Sequence, residues 1–109
     1  MLQNLIFDKM DCLNYAIYMF VSVVLDPVDV DSAKALAALM LQYKFEKIQR
    51  ACWEHSSFSE KSLNELKKDI DRFTDYYDNV RIYQYPVNGK LAITEMRKKK
   101  WHRTILSSE

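Results

Sequence analysis

The sequence predicts an α+β domain of the ferredoxin-like type, with elements in the order βαββαβ and one added C-terminal strand. Strand-like and helix-like segments alternate along the 109 residues, and a chain of this length suits one small domain. Both helix-like segments carry one apolar face. Two helices on one side of an antiparallel sheet would bury both of these faces, which is the ferredoxin-like arrangement.

The first predicted strand covers residues 15–25, which are rich in β-branched and aromatic side chains. Apolar residues occupy both of its alternating faces, with Ser22 as the one polar exception. This pattern predicts a central strand that is covered on both sides. Asp26 and Pro27 end the strand, because proline has no N–H to donate to a ladder.

The spacing of apolar residues predicts two helices. The first is predicted over residues 32–43, with Asp29 or Asp31 as its N-cap. The second is predicted over residues 59–77, with a capping box that begins at Ser62. Its apolar stripe comprises Leu63, Leu66, Ile70, Phe73 and Tyr77.

The remaining strands are shorter and more polar. Residues 45–53 predict a second strand, followed by a turn at 55–57 and a short returning strand. Residues 80–85 alternate and predict a further strand, which Pro86 should stop.

A last strand over residues 91–96 follows the turn dipeptide Asn88-Gly89. The sequence therefore divides into three parts: an N-terminal extension over residues 1–13, a ferredoxin-like domain over 14–85, and a C-terminal strand with a basic tail over 86–109.

The sequence predicts no element that would cover the second face of the sheet. Two helices cover one side of the sheet, yet the first strand is apolar on both sides. A symmetric homodimer would supply the cover. The last strand, after a hinge at residues 86–89, is a candidate for exchange onto the partner's sheet.

The formal net charge of +1 conceals a segregated pattern. Residues 1–31 contain five acidic residues and one base, whereas residues 90–109 contain six bases and two acidic residues. These opposite charges indicate different partners for the two ends of the chain.

Several classes of function are excluded or disfavoured. The single glycine, Gly89, excludes Gly-rich phosphate loops and dinucleotide fingerprints. Cys12 and Cys52, with His55 and His102, lack the spacing of a zinc site, and no catalytic triad pattern includes either histidine. The apolar run before Asp26 is too short to span a membrane, so we expect a cytoplasmic protein without a membrane partner.

Five short motifs occur in a characteristic order. They are Val23-Val24-Leu25-Asp26 at a strand end, Tyr43-Lys44-Phe45 after a helix, a strand that ends in Trp53-Glu54, a helix start at Ser59-Glu60-Lys61-Ser62-Leu63, and Asn79-Val80-Arg81-Ile82-Tyr83. In this order they resemble the CRISPR-associated protein two family, the small dimeric partner of the CRISPR spacer integrase. The likeness covers residues 14–85. The chain departs from the family pattern at Lys44 and His55, where glycine is usual, and at Pro27.

The resemblance implies a homodimer that bridges integrase subunits and binds duplex DNA during spacer acquisition in antiviral defence. It also implies a divalent metal, Mg²⁺ or Mn²⁺, at Asp26, since such ions bind carboxylate oxygens. The basic segment fits phosphate contacts and base stacking. Its candidate nucleic-acid-binding residues are Arg97, Lys98, Lys99, Lys100, Trp101 and Arg103, and Lys47, Arg50 and Arg81 are candidates to join them.

Three functions therefore remain open. One is a DNA-binding scaffold, and the second is a metal-dependent endonuclease on DNA or RNA that uses Asp26 from both protomers. A ribonuclease toxin of the virulence-associated type shares the fold, but the spacing after Asp26 disfavours it. Each candidate site also has a simpler interpretation. Asp26 would be only a turn residue, and the basic tail would only interact with solvent.

Overall fold

The structure is a computed structural model that describes residues 18–106. The predicted N-terminal extension, Cys12 and the start of the predicted first strand lie outside the described residues. The elements are β1 (Tyr18–Asp26), α1 (Val30–Gln42), β2 (Glu46–Gln49), β3 (Cys52–Ser59), α2 (Glu60–Phe73), β4 (Asn79–Val87), β5 (Lys90–Arg97) and β6 (Lys100–Leu106).

The α+β class predicted from the sequence is confirmed. The six strands form one antiparallel sheet in the order β2-β3-β1-β4-β5-β6. Strands β1 to β4 with the two helices follow the ferredoxin-like connection, and β5 and β6 extend the sheet beyond β4. The sequence predicted one added strand, whereas the structure has two.

Both helices pack on the same face of this sheet. Their buried side chains form a single apolar cluster with inward-facing residues of the strands. The cluster contains Met19, Val21, Val23, Leu25, Leu36, Leu39, Met40, Phe45, Trp53, Phe58, Leu63, Leu66, Ile70, Val80, Ile82 and Met96. The opposite face of β1 is not covered by any element of residues 18–106, so the two faces of the central strand differ in burial.

The β2–β3 hairpin turns earlier than predicted. The turn lies at Arg50 and Ala51, while the residues predicted as a turn lie inside β3. Pairing with β1 shifts register there, since Met19 opposes Phe58 and Val21 opposes His55. The two intervening serines therefore form an irregularity of the β-bulge type rather than a turn.

Local hydrogen bonds cap both ends of helix α1. Asp29 is the N-cap, and its carboxylate accepts a hydrogen bond of 2.8 Å from the Ser32 N–H. At the other end Lys44 has a φ of +68°. Its N–H donates to the Leu41 carbonyl, and the Phe45 N–H donates to the Met40 carbonyl. This pair of bonds is a Schellman motif, which glycine favours at the position that Lys44 occupies.

Helix α2 is shorter than predicted and is capped by a different residue. Ser59 is its N-cap and accepts a hydrogen bond from the Ser62 N–H, so the predicted capping box at Ser62 is wrong. The helix ends at Phe73. Tyr77, which the apolar stripe included, lies beyond the helix and is 70% exposed.

The C-terminal region forms a hairpin rather than a strand followed by a tail. Strand β4 continues through Pro86 to Val87, because its pairing with β5 is irregular between Gln84 and Val87 and needs no N–H from Pro86. Strand β5 pairs with β4 of the same chain. The basic segment then turns at Lys98 and Lys99 and returns as β6.

Within residues 18–106, neither helix is long and apolar enough to cross a membrane.

Candidate nucleic-acid interface

The sheet face opposite the helices, called here the open face, is apolar at one end. Phe20 on β1 lies opposite Tyr85 on β4, and Leu91 on β5 lies opposite Leu106 on β6. Phe20, Tyr85 and Leu106 are 39%, 52% and 47% exposed. Exposed aromatic and aliphatic side chains on neighbouring strands form the kind of apolar patch that marks an interaction surface.

The other end of the open face is charged. Arg81 on β4 lies opposite Glu95 on β5, and its Nη1 is 2.7 Å from Glu95 Oε2. Arg97 Nη2 lies 3.7 Å from Glu95 Oε1. Lys100 on β6 pairs with Arg97, which adds a further cation to this end. Two arginines therefore contact one glutamate, and Lys100 lies on the neighbouring strand.

Asp26 lies at this charged end, where β1 finishes. It is exposed and pairs with Asn79 across β1 and β4. Asp26 lines two cavities: one of about 300 Å³ on the open face with Arg81 and Arg97, and one of about 400 Å³ beside α1 and the β2–β3 hairpin. Asp26 is therefore an exposed residue that borders both cavities at this sheet edge.

The residues around Asp26 fit a metal ion poorly within one protomer. Residues 18–106 contain no group of three or more His, Cys, Asp or Glu side chains that would hold one. Glu95, the carboxylate that shares a cavity with Asp26, is paired with Arg81. One chain thus offers a single free carboxylate here, and Mg²⁺ would need oxygens from elsewhere.

Sequence reasoning missed the residue that holds the turn after Asp26. Asp78 is fully buried between the β1–α1 loop and the α2–β4 loop. Its Oδ1 accepts a hydrogen bond of 2.7 Å from the Val28 N–H. Its Oδ2 accepts bonds from the Asp75 N–H at 2.8 Å and the Ser32 hydroxyl at 3.2 Å. Its neighbours in the sequence, Tyr77 and Asn79, gave no signal of this role.

The basic segment is divided between the two faces of the sheet by strand alternation. Arg97 and Lys100 lie on the open face, and Lys98 lies in the turn with φ of +53°. Trp101 and Arg103 lie opposite the buried residues Met96 and Thr94, and therefore on the helix side. The six residues predicted as one nucleic-acid-binding segment are thus not one surface.

Two of those six residues have structural contacts. The Lys99 ammonium donates to the carbonyls of Asp71 and Thr74, the latter at 3.0 Å, and lies 3.4 Å from Asp71 Oδ1. It therefore satisfies carbonyls at the end of α2, where a cation is favoured. Trp101 packs against the core, and its Nε1 donates to Asp71 Oδ1 at 3.3 Å.

A cationic cavity lies between α2 and β6. It has a volume of about 320 Å³ and is lined by Lys67, Lys68, Asp71 and Trp101. Burial lowers the pKa of Lys67, and the positive charge of Arg103 lowers it further. Helix α2 therefore contributes Lys67 and Lys68, two basic residues that the sequence pattern did not single out.

The other basic candidates are separated from this cavity. Lys47 lies over the Trp53 ring at 5.8 Å, and Arg50 lies at the β2–β3 turn. Both line the cavity beside α1. Arg81 is on the open face, 5.5 Å from the Tyr83 ring. Lys47 and Arg50 therefore lie apart from the cations of the β5–β6 hairpin, whereas Arg81 shares the open-face cavity with Arg97.

No family model, curated protein or solved structure matches this chain. The likeness to the CRISPR-associated protein two family therefore rests on the order and spacing of the motifs described above.

Proposed function

We propose that the protein is a homodimeric scaffold that binds duplex DNA and bridges integrase subunits during CRISPR spacer acquisition in the cytoplasm. One observation carries this proposal. The surface is divided between the exposed apolar end of the open face, which suits a second protomer, and the exposed cations of the β5–β6 hairpin, which suit a phosphate-rich partner. Together with the motif order, this division supports a dimer whose surface faces nucleic acid.

The apolar end supports the dimer. Phe20 and Tyr85 lie opposite each other on central strands, so their exposed rings form a continuous patch. Two copies related by a two-fold axis would cover the same patch on each other. Burial of these rings against a second copy would lower the free energy, because it removes apolar surface from water.

The exposed cations support the DNA partner. Arg97, Lys98, Lys100 and Arg103 are all exposed on or near the β5–β6 hairpin. Arginine and lysine contacts to phosphate hold a duplex without reading its sequence. A protein of spacer acquisition must accept DNA of any sequence, so this mode of binding fits the proposed role.

The full chain tests the proposal in two measurements. We expect light scattering to report a dimer. We also expect unrelated DNA duplexes to bind with similar affinity, with log K falling linearly as log salt rises. Co-purification with an integrase encoded beside the same repeat array would support the bridging role. A protein that leaves every duplex unbound at low salt would overturn the proposal.

A metal-dependent endonuclease is the second candidate, and the exposure of Asp26 favours it. A dimer would bring the Asp26 carboxylates of two protomers to one edge, and Mg²⁺ or Mn²⁺ would activate water there. Asp26→Ala should then abolish cleavage of DNA or RNA in the presence of either metal. Asp31→Ala is the matched control, because Asp31 is also exposed but lies in the first turn of α1. Equal cleavage by both variants would overturn this candidate.

A further inference from the structure

The cavity between α2 and β6, called here the α2–β6 cleft, has more basic than acidic side chains around it. It is lined by Lys67, Lys68, Asp71 and Trp101, and Arg103 lies beside it on β6. In the described part of the chain, Lys67, Lys68 and Arg103 have no carboxylate within 4.0 Å. Three cations thus converge without an ion-pair partner.

Asp71 does not neutralise this group. Its Oδ1 already accepts a hydrogen bond from Trp101 Nε1 at 3.3 Å and lies 3.4 Å from the Lys99 ammonium. Lys99 also occupies the last carbonyls of α2, which would otherwise repel an anion. The charge that remains free to face a ligand is therefore that of Lys67, Lys68 and Arg103.

Like charges held together raise the free energy of the unliganded protein. Arg103 contributes to this cost at Lys67, whose pKa is lowered first by burial and second by Arg103, while Glu60 partly offsets both effects. An anion in the cleft would relieve this cost. Such an arrangement, in an open cleft beside Trp101, points to a bound partner of opposite charge.

We propose that the α2–β6 cleft binds phosphate groups of a duplex DNA backbone, so that DNA runs along the helix side of the β5–β6 hairpin rather than across the open face. This inference rests on the proposed DNA-binding function and assigns the phosphate contacts to Lys67, Lys68 and Arg103. Phosphate contacts on the helix side are consistent with an open face that a second protomer covers.

Strand alternation provides a matched pair of variants. Lys68→Gln with Arg103→Gln removes two exposed cations from the helix side. Arg97→Gln with Lys100→Gln removes two exposed cations from the open face of the same hairpin. Because both pairs lower the net charge equally, a difference between them reports position rather than total charge.

The readout is duplex binding as a function of salt. Each phosphate contact makes the negative slope of log K against log salt steeper by about 0.9, so the helix-side pair should reduce the magnitude of this slope by roughly 2. The open-face pair, which lies away from the cleft, should reduce it by clearly less. The reverse order, or equal effects of the two pairs, would overturn the inference while leaving the DNA-binding function intact.

A second arm separates this inference from the proposed function. Inorganic phosphate should shift the Trp101 indole N–H signal in a two-dimensional ¹H–¹⁵N spectrum, and Lys68→Gln with Arg103→Gln should abolish that shift. If wild-type protein fails to bind any duplex, the proposed function fails. A saturating phosphate shift would then support a site for free phosphate, and an unchanged spectrum would overturn the site itself.

Discussion

Lys44 occupies a backbone position that costs a side-chain-bearing residue free energy. Its φ of +68° lies in the left-handed region, where an L-residue is disfavoured by about 1–2 kcal/mol. The Schellman hydrogen bonds of Leu41 and Met40 hold it there. The sequence likeness had identified this position as one where glycine is usual, and the observed dihedral angle supplies the physical reason.

Lys44→Gly should therefore stabilise the protein. We expect the free energy of unfolding to rise by about 0.5–1 kcal/mol, because relief of strain exceeds the extra entropy of glycine in the unfolded chain. Ala38→Gly, at an exposed position inside α1, is the control and should cost about 1 kcal/mol. Urea denaturation measures both, and a Lys44→Gly variant that loses stability would contradict the prediction.

Tyr43 links the end of α1 to α2. Its hydroxyl donates a 2.5 Å hydrogen bond to Asp69 Oδ2, while Arg72 Nη1 contacts Asp69 Oδ1 at 2.7 Å. Burial, and then the hydrogen bond to the Asp69 carboxylate, raise the pKa of Tyr43 to about 12 from its ordinary 10.0. The folded protein thus retains this proton at a pH where the unfolded chain releases it.

The raised pKa predicts how stability changes in alkali. The contribution of Tyr43 is complete below pH 10 and is lost as the pH rises towards 12, since unfolding then releases a proton. Tyr43→Phe should lower the free energy of unfolding by about 0.5–1.5 kcal/mol at pH 7. The difference between wild type and variant should shrink between pH 10 and 12 in urea titrations. A constant difference across that range would contradict this assignment.

At the scale of elements, Asp78 connects the two loops that meet at the Asp26 edge. Both of its oxygens accept backbone N–H groups, from Val28 and from Asp75, and Oδ2 also accepts the Ser32 hydroxyl. A buried carboxylate with three donors fixes the start of α1 relative to the start of β4. Asp26 ends β1 two residues before Val28, next to this connection.

Asp78→Asn tests that connection with almost no change in shape. An asparagine has one acceptor oxygen, so its NH₂ group must face one of two backbone N–H donors. We expect a loss of about 2–4 kcal/mol in the free energy of unfolding. Asp29→Asn makes the same substitution at the exposed cap of α1, where asparagine caps as well as aspartate, and should change little. Similar losses for both variants would contradict the role given to Asp78.

The elements differ in how well the sequence predicted them, and the reasons are physical. Helix α1 and its cap at Asp29 follow from local chemistry and were predicted nearly in place. The β2–β3 turn was misplaced because two serines that resemble a turn form an irregularity beside β1. Strand β6 was missed because its turn uses two lysines, with φ of +53° and +62°, instead of Asn-Gly.

The same reasoning explains what could be predicted of the candidate site. Asp26 was identified from its place at a strand end, and the structure leaves it there, exposed. The basic segment was identified by composition, but only strand pairing reveals that alternate residues lie on opposite faces. Lys67 and Lys68 gave no signal, because their approach to Arg103 depends on the position of β6 beside α2.

At the scale of the whole molecule, the two sides of the sheet have different surroundings. The helices bury one side, and the other side leaves an apolar patch exposed at Phe20 and Tyr85. The net charge of +1 is a sum over an acidic start and a basic end, so it does not describe either surface. A dimer through the open face would leave the α2–β6 clefts of both protomers accessible on the outside.

This arrangement predicts that charges placed in the apolar patch separate the protomers without unfolding them. Phe20→Lys with Tyr85→Lys puts two cations on adjacent strands, and a two-fold axis would bring four together in the interface. Light scattering should report the monomer mass for this variant and the dimer mass for wild type. Tyr77→Lys, at an exposed position outside the sheet, is the control and should remain dimeric. Because Phe20 and Tyr85 are already exposed in the single chain, circular dichroism should stay unchanged, and a variant that keeps the dimer mass would show that the protomers associate through another surface.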